Sequence, residues 1–284
     1  MTRNLPQATK FGIFIALFVL SFIAVLLLYL SESNRSFADY NSPNVGENYI
    51  DATVKIVNIE PIRGDVSGRL QMFPMGNLNA GANKLSKAIK LEINSSAGRP
   101  ERVFNAQTVM EPVDVIVSIY DGVFNDYPFD RHMAFLELEL KDNTSSQAGI
   151  PTRVNIWGNV PGFYITPVAL NENTESYLGF NLAIRRSWTS IIFAIFIGLG
   201  MWIVSIIVLI QAIVVYSKGR MPETGMFTYM ATLTFALPAI RNIQPGIPPL
   251  GTLSDFLGFF WAEGLAVTAM LIVAYCWLVR YGES

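Results

Sequence analysis

Four stretches of this 284-residue chain carry almost no charge, and they constrain its fold more than any other feature. Phe11–Leu30 and Ser187–Ser217 have none, Met226–Ile240 has none, and Phe256–Val279 has only Glu263. A bilayer core about 30 Å thick is crossed by about 20 apolar residues in helix. The first, second and fourth stretches meet that length, and the third meets it if its helix starts near Pro222, because proline suits a first helical turn. The first run is too long for a signal-peptide core and ends in Tyr29-Leu30-Ser31-Glu32, a poor cleavage site, so it reads as a retained anchor.

Short loops keep their positive charge in the cytoplasm. Arg3 and Lys10 precede the first stretch, Lys218 and Arg220 lie between the second and third, and Arg280 follows the fourth. These alternate as four spans require, with Arg185 and Arg186 a local exception on the outer side. The expected order is a cytoplasmic segment 1–10, a span 11–30, an outer domain 31–187, and spans 188–216, 222–240 and 255–279. Residues 241–254 form an outer loop between the last two spans, and 280–284 return to the cytoplasm. The chain therefore reads as an integral protein of a plasma or inner membrane, with the lipid bilayer as its first partner.

The outer domain has 14 Lys/Arg and 18 Asp/Glu, so it offers no basic patch for nucleic acid. Its strand signals are strong. Tyr49–Ile59, Ala88–Ile93, Val113–Tyr120, Met133–Leu140, Thr152–Trp157 and Tyr177–Ile184 alternate or are rich in β-branched and aromatic residues. Arg69–Phe73 and Gly162–Thr166 are weaker, and Met75–Asn83 is a Gly-rich loop. Seven or eight strands and few helices give an antiparallel β-sandwich on a four-helix transmembrane bundle. The sole cysteine, Cys276, lies in the last span, so the domain is held by its own core. The last strand runs into Trp188 with no linker.

No constellation points to catalysis. His132 is the only histidine, and nothing near it in sequence supplies a metal set or a nucleophile motif. No catalytic, metal or cofactor residue is assigned. Three other groups stand out. Asp126, Tyr127, Pro128, Phe129 and Asp130 form either a tight turn with Phe129 plugging the sandwich base, or a coupling loop docked on the helices. Arg241 opens a stiff loop with three prolines and two glycines in 245–251. Asp255 (or Ser254) reads as the N-cap of the last helix, and Glu263 lies about 12 Å deeper at 1.5 Å per residue. A carboxylate at that depth belongs against protein or water, with Arg241 or a threonine of the third span as partner. Thr224, Thr228 and Thr232 form a polar stripe that either packs on other helices or lines water.

Tyr127-Pro128-Phe129-Asp130, Leu237-Pro238-Ala239-Ile240-Arg241-Asn242, Pro245 to Pro249, and Asp255 to Trp261 together resemble an uncharacterised membrane family, domain of unknown function 4436. That resemblance spans nearly the whole chain and implies the topology above, with no activity. A weaker likeness is to pentameric ligand-gated channels. Their sandwich ends in paired arginines, as at Arg185-Arg186, carries an aromatic-Pro-Phe-Asp loop at its base, and precedes a Thr/Ser-rich pore helix. The cysteines flanking that loop are absent here, the sequence does not locate the aromatic ligand box, and only three spans follow the domain. The leading expectation is a non-enzymatic protein whose outer domain binds or senses a partner and is coupled to the helices, as an accessory subunit of a larger membrane complex. The alternative is an oligomeric channel, assembled by self-association.

Overall fold

The computed structural model of the chain describes residues 7–33, 37–41, 46–144 and 148–281. Arg3 in the expected segment 1–10, and residues 282–284 of the expected C-terminal segment, lie outside the described residues. The described residues form helix α1 (Gln7–Ser33), ten strands, and helices α2 (Trp188–Ser217), α3 (Thr224–Asn242) and α4 (Phe260–Tyr281). The strands are β1 (Phe37–Asn41), β2 (Ile50–Glu60), β3 (Asp65–Pro74), β4 (Ile89–Ile93) and β5 (Glu101–Phe104). They continue with β6 (Val113–Gly122), β7 (Arg131–Asp142), β8 (Thr152–Trp157), β9 (Phe163–Ala169) and β10 (Tyr177–Arg186).

The strands form two sheet halves joined through β6. One half runs β1-β8-β2-β3-β6, and the other brings β7 against β10 and β4, with β9 and β5 outside them. Residues Val113–Ser118 of β6 pair with β3, whereas Ile119, Asp121 and Gly122 pair with β7, with a register shift between Ile119 and Asp121. That shift lets one strand turn from one half into the other. Gly122 sits at the crossing with φ +130°, and a Cβ there would lie 2.5 Å from His132 Nδ1. Both halves bury alternate side chains into one core, for example Ile89, Leu91 and Ile93 of β4 against Leu136, Leu138 and Leu140 of β7. The apolar/polar alternation of I-K-L-E-I produces that face directly.

Two expectations change. The pairing is mixed rather than wholly antiparallel, since β2 runs parallel to β8, with Ile50 opposite Thr152 and Lys55 opposite Trp157. Two strands also went unforeseen. β1 pairs with β8, and the four-residue β5, E-R-V-F, pairs with β4. A strand so short and charged has no period of its own and is defined by its neighbour.

Among the described residues, two of the four helices are long and apolar enough to cross a membrane: Trp188–Ser217, and the α4 region Asp255–Arg280. In α1 the apolar stretch among the described residues is Val19–Leu28. α3 falls short because it carries four threonines, Arg241 and Asn242 within nineteen residues. α4 packs against both α2 and α3, around a core of Val208, Ala212, Leu237, Ala266, Ala269 and Val273. At one end the Arg280 guanidinium donates to the carbonyls of Val215 and Tyr216, at 3.1 and 2.9 Å, and of Arg220. At the other end β10 passes straight into α2, where Ser187 caps the helix by accepting from the Ser190 N–H at 3.2 Å. No slack separates the β domain from its helix.

Candidate functional site: the joint between the β domain and the helices

Three chain segments meet where β10 becomes α2: the β6–β7 loop, the β10–α2 junction, and the α3–α4 loop. The β6–β7 loop begins with a short 3-10 turn, Phe124–Asp126, and continues into a cis Tyr127–Pro128 peptide bond. This turn leaves Asp126 exposed and buries Tyr127 completely. The Tyr127 hydroxyl donates to Pro245 O at 3.1 Å, and its backbone carbonyl accepts from Ser254 N at 3.2 Å. One residue of the β domain thus holds both ends of the α3–α4 loop.

Asp130 and Arg186 make the second attachment. Asp130 is 1% exposed, and Arg186 Nε lies 3.0 Å from both of its carboxylate oxygens. His132 Nε2 approaches Asp130 Oδ2 at 2.8 Å. Arg186 then reaches across, donating through Nη2 to Gly246 O at 3.1 Å. Its guanidinium lies 5.0 Å from the Tyr127 ring centroid and 4.4 Å from that of Phe163, within cation–π range. Gly246 has φ +58°, and a Cβ there would stand 2.7 Å from Arg186 Nη1, so backbone conformation and space both require glycine.

The loop is also tied to its own helices. Arg241 Nε and Nη2 donate to the two oxygens of Asp255, each at 2.7 Å, in a bidentate fork. Arg241 Nη2 also donates to Pro248 O at 2.9 Å. Asp255 Oδ2 accepts from Gly251 N at 2.9 Å, Thr252 N at 3.1 Å and Thr252 Oγ1 at 3.0 Å. Asp255 opens a π-helical turn, Asp255–Phe259, whose Leu257 carbonyl accepts from Trp202 Nε1 at 3.0 Å on α2. Such turns leave carbonyls free for partners outside the helix.

Several expected roles change. Phe129 does not plug the sandwich base: it is 51% exposed, and Tyr127 is the buried ring. Pro128 is buried beside it. Asp255 is not an N-cap, because the amides it accepts from precede it in the chain and its main partner is Arg241. Arg241 is therefore not the partner of Glu263. Glu263 is half-buried, and its Oε2 has no hydrogen-bond partner among the described residues. Thr224, Thr228 and Thr232 are exposed on α3, opposite the buried Met230, Leu233 and Leu237, so among the described residues this stripe packs on no helix. Thr232 Oγ1 donates to Thr228 O at 2.7 Å, within its own helix. Arg186 was no site candidate in the sequence. Its signal was a second arginine immediately before an apolar helix, a position without reason for charge unless a carboxylate waits there.

Burial pushes the Asp130 carboxyl up, but hydrogen bonds from His132 and Arg186 outweigh it and hold the group below the usual carboxylate range. Burial pushes the Tyr127 phenol up to about 12. The buried pair makes the first expectation. Asp130→Asn and Arg186→Met are each expected to cost about 3–5 kcal/mol, since each strands its partner. The double variant is expected to cost clearly less than the sum, as read by denaturation of the purified full chain. Strict additivity would show that the two side chains do not act as a pair.

The pH dependence follows from the signs. Asp130 has a folded pKa below its unfolded one, so its stabilisation is complete above the unfolded value of about 3.9 and fades as pH falls through the folded value. The stability gap between wild type and Asp130→Asn is expected to stay constant from neutral pH down to about 4 and to close below it. Tyr127 has a raised pKa, so its stabilisation is complete below about 10 and fades as pH rises toward about 12. The gap to Tyr127→Phe is expected to narrow over that alkaline window, and a gap unchanged to pH 12 would contradict the burial of the phenol.

Comparison with known proteins divides the chain at this joint. The family model described as Domain of unknown function (DUF8686) matches residues 186–280, which hold Arg186, Arg241 and Asp255. The motifs from Leu237 to Trp261 therefore fall in this second match, and the resemblance to one family over nearly the whole chain narrows accordingly. No curated protein matches the chain. Residues 40–184, half of the chain and including Tyr127 and Asp130, match Domain of unknown function (DUF4436), and the chain belongs to that family.

Proposed function

We propose that this chain is a non-enzymatic integral membrane protein that spans the bilayer four times through α1–α4, with both termini in the cytoplasm and the β domain outside. In this reading the β domain binds or senses a partner, and the joint passes its displacement to α3 and α4. The chain serves as an accessory subunit of a larger membrane complex. The observation that carries the reading is the double hold on the α3–α4 loop. Tyr127 bonds to Pro245 and Ser254, and Arg186 links Asp130 to Gly246. A movement of the β6–β7 loop or of β10 pulls directly on the segment that connects two membrane helices. Two long apolar helices support the membrane setting. α3 crosses in this arrangement only with its polar face covered or wet, since polar side chains are costly in hydrocarbon.

A second reading is supported by that same face. Thr224, Thr228 and Thr232 point away from the chain's own core. In an oligomeric channel, symmetry-related copies of this stripe would line a central path.

Both readings share one topology, and one set of cysteine variants tests it. With Cys276 replaced by Ala, cysteines at Asn79 and Leu250 are expected to react with an impermeant reagent added outside intact cells, and one at Ser217 only after permeabilisation. Outside labelling at Ser217 would overturn the four-span arrangement. The mass of the purified particle in a native bilayer disc separates the readings: a closed homo-oligomer that conducts ions supports the channel, and a monomer or hetero-complex supports the accessory subunit.

A further inference from the structure

The paired arginines at the end of β10 break the charge pattern of the chain, and a cavity opens beside them. It holds about 450 Å³ between the β8–β9 loop, the head of α2 and the α3–α4 loop. That lies within the size of ligand sites, about 300–1,000 Å³. Among the described residues no carboxylate lines it. Its wall offers donors instead. The buried Arg186 spends Nε on Asp130 and Nη2 on Gly246 O, while its Nη1 has no acceptor among the described residues. Nη1 stands beside Gly246, and both residues line the cavity. Ser190 lines it too, and its hydroxyl accepts from Ser187 Oγ at 3.3 Å and donates to no described residue.

Spare donors call for an acceptor, and charge decides its kind. Asp130 balances Arg186, but Arg185 pairs with no carboxylate among the described residues. Its guanidinium lies 5.3 Å from the ring centroid of Tyr164, which lines the cavity. The N-terminus of the 30-residue α2 adds partial positive charge. An anion satisfies the donors and the charge together. Phe193, one turn below Ser190, is an exposed lining residue. With the exposed Phe196, Ile203 and Ile207 it forms an apolar stripe on one face of α2. A soluble anion leaves that stripe bare, whereas an acyl chain covers it. We propose that the cavity binds the phosphodiester of an anionic phospholipid, which accepts from Arg186 Nη1 and Ser190 Oγ and lays an acyl chain along Phe193, Phe196 and Ile203. The inference rests on the proposed membrane setting of α2, whichever side its head faces, and on neither the accessory nor the channel role.

The probes are phosphatidylglycerol and phosphatidylcholine with identical acyl chains. They are titrated into the delipidated full-length protein in detergent micelles, and bound lipids are counted by native mass spectrometry. Phosphatidylglycerol is expected to saturate at one per chain. Phosphatidylcholine is expected to bind about tenfold more weakly, because its ammonium meets the positive charge of Arg185. Ser190→Ala is expected to weaken phosphatidylglycerol about fivefold through one lost hydrogen bond. Phe193→Glu replaces an exposed side chain, so the fold tolerates it, and its carboxylate at the cavity is expected to abolish saturable binding. Inorganic phosphate at millimolar concentration is expected to leave the lipid bound. Equal retention of the two lipids, saturable binding that both variants leave unchanged, or unsaturable uptake alone would each overturn the proposal. Displacement by inorganic phosphate would overturn it too, in favour of a site for soluble anions. Loss of selectivity with the cysteine labelling as expected strikes this inference alone. Labelling of Ser217 from outside with selectivity intact strikes only the four-span arrangement.

Discussion

The guanidinium of Arg186 is the point on which the β domain and the helices meet. It is a fixed charge 4% exposed, and removing such a charge from water costs several kcal/mol unless partners surround it. Its partners come from three other segments of the chain. Asp130 supplies the countercharge from the β6–β7 loop, Gly246 supplies a carbonyl from the α3–α4 loop, and Phe163 of β9 and Tyr127 supply aromatic faces. None of these segments can withdraw without exposing the arginine to an incomplete site. An apolar plug could fill the same volume, but it would tolerate rotation and sliding. A fork of directed donors accepts one orientation of its partners.

The rest of the architecture brings these groups together. The core of the two sheet halves holds β7 beside β10, which sets Arg131 opposite Arg185 and places Asp130 next to Arg186. The direct passage of β10 into α2 fixes Arg186 at the head of a helix instead of at the end of a tether. On the helix side the Arg241–Asp255 fork closes the α3–α4 loop at its base, so that Pro245 and Gly246 are presented to the β domain as a rigid tip. The two buried ion pairs stand one on each side of the contact, and the loop tip between them carries carbonyls and no side-chain charge.

Much of this was legible in the sequence, and the failures are physical. Period-two alternation located β2, β4, β6, β7, β8 and β10 because half-buried strands write their two faces directly into residue order. It could not locate β5, whose four residues alternate nothing, or the parallel β2–β8 pair, because register between distant strands leaves no local trace. Tyr127–Asp130 was recognisable as a special loop, yet the buried ring is Tyr127 and not Phe129. Nothing in Y-P-F-D says which ring turns inward, and the cis peptide bond at Pro128 accompanies the inward Tyr127. Arg241 and Asp255 lie fourteen residues apart across a proline-rich loop. Helical periodicity connects Asp255 with Glu263 and is silent about a contact made by the loop folding back on itself. The threonine stripe was visible as a period of four, but its outward direction depends on how α3 packs against α4.

Hydrogen–deuterium exchange on the full chain, comparing wild type with Asp130→Asn, tests most directly whether the β domain and the helices form one body through Arg186. Residue 130 lies in the β domain, and the hydrogen bonds of its carboxylate go to His132 and Arg186 rather than to the α3–α4 loop. If Arg186 holds both sides, losing the carboxylate loosens its grip on Gly246, and peptides covering 243–254 are expected to exchange faster alongside those covering 124–134. Faster exchange confined to 124–134, with 243–254 as protected as in the wild type, would contradict the coupling.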